Sequence, residues 1–285
     1  MNTTTLCRVD WAGSAVDIET RWIPASTADR PLLVFLHEGL GSVSMWRDYP
    51  ALLCQALDWH GLVYSRPGYG RSTPRPAEQH WQPDFLERQA SEVLPALLRE
   101  LGVHQTYREV WLLGHSDGGS IALIHAARHP ESVQGLIVVA PHVMVEDISI
   151  RSIQQAREAY LQTDLKARLA RHHQDPDSAF WGWNDVWLSP AFRGWSIVGL
   201  LPLIRCPVLA VQGSADEYGS LADCPASWRI DVVSLSLETR HGVFARMAHG
   251  KCDQRAHRQA RKTADAVARG AAIAPDRAEP DQQAS

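Results

Sequence analysis

The apolar residues of this chain fall into short continuous runs, and segments with helical periodicity separate them. The clearest run covers residues 31–36 (PLLVFL), and similar runs lie at 110–113, 133–140, 206–212 and 230–237. A strand that is buried on both faces of a parallel sheet has this continuous pattern, whereas a half-exposed strand alternates. Near the amino end, residues 6–11 and 15–23 alternate and predict an antiparallel hairpin that turns at Gly13-Ser14.

Helical periodicity between the runs predicts how the sheet is covered. We expect helices at about 45–57, 83–101 and 121–127, with a short strand at 61–64 between the first two. Strands that alternate with helices predict an α/β fold with a mostly parallel, doubly wound sheet. Ligands of such sheets bind beyond the carboxyl ends of the strands.

Residues 141–205 have no place in this sheet, and we expect them to form a helical lid. The lid would separate a first part of the core, 1–140, from a second part, 206–248. Helical periodicity covers 151–172, and aromatic residues follow at high density. They include Trp181, Trp183 and Trp187, which either close a small core under the lid or face a substrate.

The segment Gly114-His115-Ser116-Asp117-Gly118-Gly119-Ser120 follows one apolar strand and precedes an apolar helix. A serine between two glycines at such a point is typical of a nucleophile elbow. The side chain at the tip of so sharp a turn has a strained backbone, and strand and helix can approach only where the flanking residues lack a Cβ atom. Gly114 and Gly118 meet that requirement.

The elbow, the loop that starts at His37 and the order of strands together resemble the α/β-hydrolase superfamily, lidded serine branch, over residues 6–245. The resemblance implies that Ser116 is the nucleophile, that Asp216 orients the base and that His241 is the base. A serine at the tip points away from the haloalkane dehalogenases and epoxide hydrolases, which use an aspartate, and favours acyl chemistry. Glu146 or Asp147 stays open as the acid, and His249 as the base.

The same resemblance implies an oxyanion hole made of backbone N–H groups, from Asp117 and from the loop at Gly39 and Leu40. The family commonly has glycine where this chain has Glu38. We therefore expect the Glu38 carboxylate to point away from the hole, toward Arg66 or Arg71. His37 and His115 are expected to be structural, and His142 is a candidate for the pocket lining.

Composition limits the kinds of ligand that this protein is expected to bind. The net charge of −4 provides no basic face for nucleic acid, so we expect a small-molecule substrate. The amino end has no signal-peptide pattern and no stretch is long enough to span a membrane, which predicts a cytoplasmic location. No cofactor or metal is expected. His172 and His173, near Asp175, diverge by about 100° on a helix, which favours a solvated lid surface over a metal site.

Residues 249–285 depart from the family pattern, because their only large aliphatic side chains are Val267 and Ile273. We interpret this segment as an atypical tail, either disordered or produced by a changed reading frame. The chain as a whole is expected to hydrolyse a carboxylic ester, lactone or thioester through an acyl-enzyme on Ser116. Hydrolysis of a C–C bond with the same triad, or a ligand-binding protein without turnover, are the alternatives.

Overall fold

The computed structural model describes residues 4–213 and 216–220, together with the strand at Ile230–Leu235. The candidate base His241, its alternative His249 and the tail 249–285 lie outside the described residues. The predictions made for them therefore stay predictions.

One sheet organises the described part of the chain, with eight strands in the order β1-β2-β4-β3-β5-β6-β7-β8. The strands are β1 Thr4–Trp11, β2 Ser14–Ile23, β3 Leu32–Leu36, β4 His60–Tyr64, β5 Val110–His115, β6 Gly135–Val139, β7 Val208–Gly213 and β8 Ile230–Leu235. The β1–β2 and β2–β4 pairs are antiparallel, and all pairs from β4 to β8 are parallel. The predicted mostly parallel, doubly wound sheet is confirmed.

The register of the central strands brings the candidate site residues to one edge. Leu36 pairs with Gly114 and Gly114 pairs with Val138, so β3, β5 and β6 end side by side, and β7 follows next to β6. All five residues of β3 are fully buried, as a strand covered on both faces requires. Loops that follow these four strands therefore meet beyond the same edge of the sheet.

Helices cover both faces of the sheet, and the structure corrects two predicted boundaries. The helices of the core are α1 Tyr49–Leu57, α2 Phe85–Arg88, α3 Leu94–Glu100, α4 Val103–Thr106 and α5 Asp117–Arg128. α1 begins four residues later than predicted because Arg47 has a φ of 51°, which no right-handed helix contains. The predicted helix at 83–101 is interrupted at Gln89–Val93 by a π-helical turn, since Pro95 has no N–H for a regular bond to the preceding turn.

Helices also fill the segment between β6 and β7, which we call the insertion (residues 141–205). They are α6 Asp147–Gln162, α7 Leu165–Leu169 and α8 Pro176–Leu188, followed by 3-10 turns at Pro190–Phe192 and Val198–Leu203. The predicted periodicity over 151–172 is divided at Thr163, whose extended backbone ends α6. Tyr160 stacks on Phe180 with ring centroids 3.8 Å apart and joins α6 to α8. No helix in the described ranges is long and apolar enough to cross a membrane.

Helix α5 lies unusually close to β3, and two glycines make this possible. A Cβ atom on Gly118 would overlap the backbone carbonyl of Leu36, and one on Gly114 would overlap the backbone of Gly118. Backbone atoms cannot rotate away as a flexible side chain can. The approach of strand and helix that shapes the predicted elbow therefore depends on these two positions.

We expect Gly118→Ala to lower the free energy of unfolding by about 1–3 kcal/mol, because the new methyl group has no space. Urea denaturation followed by circular dichroism measures this. Gly194→Ala is the matched control: Gly194 is exposed and has open space around it, so its replacement should change stability by less than about 0.5 kcal/mol. Equal effects of the two substitutions would contradict the packing argument.

Candidate active site

Ser116 stands at the tip of the elbow between β5 and α5. Its φ of 52° and ψ of −120° are strained for a residue with a side chain. The turn is held because the Ser116 N–H donates to the Val139 carbonyl at 2.9 Å, and its carbonyl accepts from the Gly119 N–H at 2.8 Å. The side chain is only partly buried. This serine thus lies at the positive end of the α5 dipole, where negative charge is stabilised.

The candidate oxyanion hole has donors on both sides of this serine. Asp117 is the first residue of α5, so its N–H has no acceptor within the helix. On the other side, the Gly41 N–H donates to the Glu38 carbonyl at 3.0 Å and closes a tight turn. The N–H groups of the two central residues, Gly39 and Leu40, take no part in closing that turn. The candidate donors are therefore the N–H of Asp117 at the elbow and those of Gly39 and Leu40 on this turn.

His37 fixes the base of this turn, as the sequence predicts for a structural residue. The fully buried ring accepts the Arg66 backbone N–H at Nε2 (3.0 Å), so Nδ1 carries the proton and donates to the Glu38 carbonyl at 2.7 Å. Burial, together with the positive charge of Arg66, holds the pKa of His37 well below its usual range. The imidazole is therefore neutral and links the Arg66 backbone to the Glu38 carbonyl.

Arg66 connects the two halves of the candidate hole. Its buried guanidinium donates from Nη2 to the Glu38 carbonyl at 2.8 Å, and its Nη1 lies 3.5 Å from a carboxylate oxygen of Asp117. The same group lies over the ring of Tyr69, 4.6 Å from its centroid. Burial raises the pKa of Asp117, although the charge of Arg66 opposes this shift. Sequence reasoning assigned Arg66 no such role; its position directly after the apolar strand β4 was the available signal.

The Glu38 carboxylate faces His115, and not the arginines proposed from sequence. Its Oε2 lies 3.6 Å from Nδ1 of His115, the residue before the nucleophile, and its carboxylate folds over Gly41, leaving no space for a Cβ atom there. Burial alone would raise the pKa of Glu38, but the hydrogen bond and charge of His115 lower it to about 2. Arg66 is bound to the Glu38 backbone carbonyl instead, and the Arg71 N–H donates to Glu19.

Two of the three candidate tryptophans in the insertion reach the site. The indole of Trp183 packs so closely on Gly39 that a Cβ atom there would overlap it. Trp187 is buried and donates from Nε1 to the Asp117 carboxylate at 3.2 Å. Trp181 contacts Tyr160 and Phe180 within the insertion instead, and the guanidinium of an arginine on α6 covers its ring.

His142 follows β6 and lies at the same edge of the sheet. Its ring packs edge-on against Trp187 at 5.0 Å, and its backbone carbonyl accepts the Ser120 hydroxyl at 2.6 Å. Since Trp187 itself binds Asp117, His142 and Trp187 form a wall beside the elbow. His142 is itself buried, so its role in lining a substrate pocket stays a prediction.

Asp216 lies in the loop after β7, where its Oδ1 accepts the Tyr218 N–H at 2.9 Å. Glu146 uses both carboxylate oxygens to hold Ser220, at 2.8 Å from the backbone N–H and 2.7 Å from the hydroxyl. Asp147 pairs with Arg193 on the surface. The two alternative acids are thus engaged elsewhere, and Glu146 anchors the loop that carries Asp216.

The two adjacent histidines of the insertion have different environments. His172 is half-buried, with Nδ1 3.0 Å from the Ser44 hydroxyl. His173 is buried, and its ring lies between Gly70 and Leu40. The expectation of a solvated surface is therefore wrong for His173: both histidines lie in the turn between α7 and α8 and not on a helix, and this turn directs the His173 ring inward. No cluster that could hold a metal occurs among the residues that the structure describes.

We expect Asp117→Asn to lower the free energy of unfolding at pH 7 by about 3–5 kcal/mol, because it leaves the buried Arg66 without a counter-charge. Asparagine keeps an oxygen that can accept the Trp187 N–H, so the loss of stability measures the effect of removing the negative charge. Asp185→Asn is the control, since Asp185 pairs with Arg157 at 3.7 Å on the surface; its effect should be about 1 kcal/mol or less. Chemical denaturation of both variants measures the difference, and equal losses would show that burial adds nothing to the Arg66 pair.

Comparison with known proteins identifies the fold family to which this architecture belongs. The family described as alpha/beta hydrolase fold matches residues 31–218. The mouse protein named serine hydrolase BPHL is 30% identical over 170 residues, which is 54% of this chain and 53% of the mouse protein. A 2-succinyl-6-hydroxy-2,4-cyclohexadiene-1-carboxylate synthase from Serratia proteamaculans is 28% identical over 56% of this chain and 59% of its own length. The chain therefore spans between half and two thirds of the length of these relatives.

Solved structures agree on the fold. The enol-lactonase from Burkholderia xenovorans LB400 superimposes with a TM-score of 0.61 and 18% identity, covering 89% of this chain and 97% of that one. At this identity the likeness bears on the fold alone. With the family match over most of the chain, the elbow between β5 and α5, and the strand order of the sheet, the predicted resemblance is confirmed: the chain belongs to the α/β-hydrolase fold family.

Proposed function

We propose that this protein is a serine hydrolase that cleaves a small-molecule carboxylic ester, lactone or thioester through an acyl-enzyme on Ser116. The observation that carries the proposal is the strained Ser116 at the start of α5, which Arg66 connects, through Asp117, to the turn that carries Gly39 and Leu40. A hydroxyl in this position can attack a carbonyl carbon while the N–H groups receive the carbonyl oxygen.

In the proposed reaction, His241 accepts the Ser116 proton as the hydroxyl attacks, and Asp216 holds the imidazole in the required tautomer. The oxygen of the tetrahedral intermediate binds the N–H of Asp117 and an N–H of Gly39 or Leu40. The intermediate collapses when His241 returns the proton to the leaving group. Water, activated by the same base, then releases the acid and restores the serine.

The names of similar proteins support this reaction class. The mouse relative is named a serine hydrolase, and a structural neighbour is named an enol-lactonase. The Serratia relative is named a synthase, so the fold by itself does not fix the reaction. The serine at the elbow favours acyl transfer over the aspartate-based chemistry of dehalogenases.

Two features of the site bear on the alternatives. Glu38 and the atypical tail were the two features that favoured a binding protein without turnover; a carboxylate aimed at the hole would oppose a developing negative charge. The contact of Glu38 with His115 supports an enzyme, since it engages the carboxylate with a side chain outside the proposed hole; the tail lies outside the described residues. Trp183, Trp187 and His142 pack beside the elbow, next to the place that the proposal gives the substrate, and Trp181 belongs to the insertion core in this proposal.

We expect Ser116→Ala to reduce turnover of a short-chain aryl ester by about 10⁴-fold or more, because the remaining triad residues have nothing to activate. Release of the aryl alcohol, followed by absorbance, measures this. A fluorophosphonate should label the wild-type protein at Ser116 and leave the variant unlabelled. Turnover by the variant at the wild-type rate would refute the proposed nucleophile.

His241→Ala should match the Ser116→Ala loss, whereas His249→Ala should keep turnover within about 3-fold of the wild type, since only one histidine can serve as the base of one triad. The comparison uses the same ester and the same change of residue at two nearby positions. If His249→Ala were the inactive variant, the base would be assigned to the wrong histidine, while Ser116 would keep its role.

A further inference from the structure

The insertion contributes a buried imidazole directly to the turn that carries Gly39 and Leu40. We propose that His173 is a positioning residue for the oxyanion hole, acting through its hydrogen bond to the Leu40 carbonyl. This inference rests on the proposed acyl transfer at Ser116 and adds that the hole is assembled partly by a residue outside the sheet.

The ring of His173 has one defined tautomer. The Gly70 N–H donates to Nδ1 at 2.9 Å, which requires a lone pair there, so the proton is on Nε2 and is donated to the Leu40 carbonyl at 3.0 Å. The side chain is buried, and burial lowers the pKa of His173 to about 4. The ring is therefore neutral at pH 7 and spans a fixed distance between Gly70 and Leu40.

These bonds orient the peptide groups of the turn from both ends. Arg66 and His37 hold the carbonyl of the Glu38–Gly39 peptide. At the other end, His173 holds the carbonyl of the Leu40–Gly41 peptide, whose N–H donates to Glu38. The peptide between them presents the Leu40 N–H, and its plane is set by its two neighbours. Loss of the His173 bond would free one end and let the donors turn away from the oxyanion.

Docking of the insertion does not depend on this ring alone. The backbone N–H of Gln174 donates to the Gly70 carbonyl at 2.7 Å, and Ser178 donates its hydroxyl to the Gly68 carbonyl at 3.2 Å. Trp183 also packs on Gly39. A change at His173 can therefore disturb the Leu40 carbonyl while the insertion stays in place, which separates positioning from general stability.

The test compares His173→Asn with His173→Gln. An asparagine amide reaches the place of Nδ1, so it can accept the Gly70 N–H but cannot reach Leu40. A glutamine amide reaches the place of Nε2 and can donate to the Leu40 carbonyl. The matched controls are His172→Asn and His172→Gln, at the neighbouring histidine that contacts Ser44 instead. Melting temperatures confirm that each variant is folded.

With an aryl ester as substrate, we expect kcat of His173→Asn to fall by about 10–100-fold with KM nearly unchanged, because the hole acts on the transition state and not on the bound ester. The rate of fluorophosphonate labelling of Ser116 should fall in parallel. His173→Gln should recover most of both rates, and the His172 variants should keep both within about 2-fold of the wild type.

Equal rates for the asparagine and glutamine variants, or a loss confined to KM, would overturn the role of His173 while Ser116-dependent turnover of the wild type remained. Failure of the proposed function looks different: the wild type itself would neither turn over the ester nor be labelled at Ser116, and the inference would fall with it. Misfolding of His173→Asn alone, with a folded and inactive His173→Gln, would also count against the proposal.

Discussion

The buried guanidinium of Arg66 is the group on which the site depends. It is the positive charge that pairs with the Asp117 carboxylate inside the protein, and it also binds the Glu38 carbonyl and lies over Tyr69. A buried charge is tolerated only when its partners are fixed around it. Because Glu38 belongs to the turn after β3 and Asp117 is the first residue of α5, the contacts of Arg66 also join the two sides of the proposed oxyanion hole.

The insertion also contacts the residues of the proposed oxyanion hole. His173 contacts Leu40, Trp183 packs on Gly39, and Trp187 binds the Asp117 side chain, so both halves of the proposed hole are touched from the same direction. In this account the residues 141–205 do more than cover a pocket. They supply contacts that hold backbone donors in place, and a substrate that displaced the insertion would meet a less ordered site.

The sheet and the elbow could be predicted from sequence because their signals are local. Continuous apolar runs mark buried parallel strands, and glycines two residues to either side of Ser116 mark a turn that only they permit. The start of α1 was harder to foresee, since the positive φ of Arg47 has no signal in residue type, whereas Pro95 was an available signal for the π-helical turn before α3. The resemblance to the family placed Asp216 just after an apolar strand, and the structure finds it in the loop that follows β7.

The contacts across the site could not be predicted, because they join residues far apart in sequence. Glu38 carries a charge that several arginines could neutralise, and only the fold shows that His115 is its neighbour. His172 and His173 are indistinguishable by type and differ only in which way they face. Arg66 looked like one more residue of a turn rich in glycine and arginine, and its burial was the missing fact.

The most direct test of the account is a crystal structure of the protein after reaction with an aryl fluorophosphonate. The account predicts a phosphorus–oxygen bond to Ser116 Oγ, with the phosphonyl oxygen about 2.7–3.1 Å from the Asp117 nitrogen and from the nitrogen of Gly39 or Leu40. An adduct on another residue, or a phosphonyl oxygen turned away from both sets of N–H groups, would contradict it.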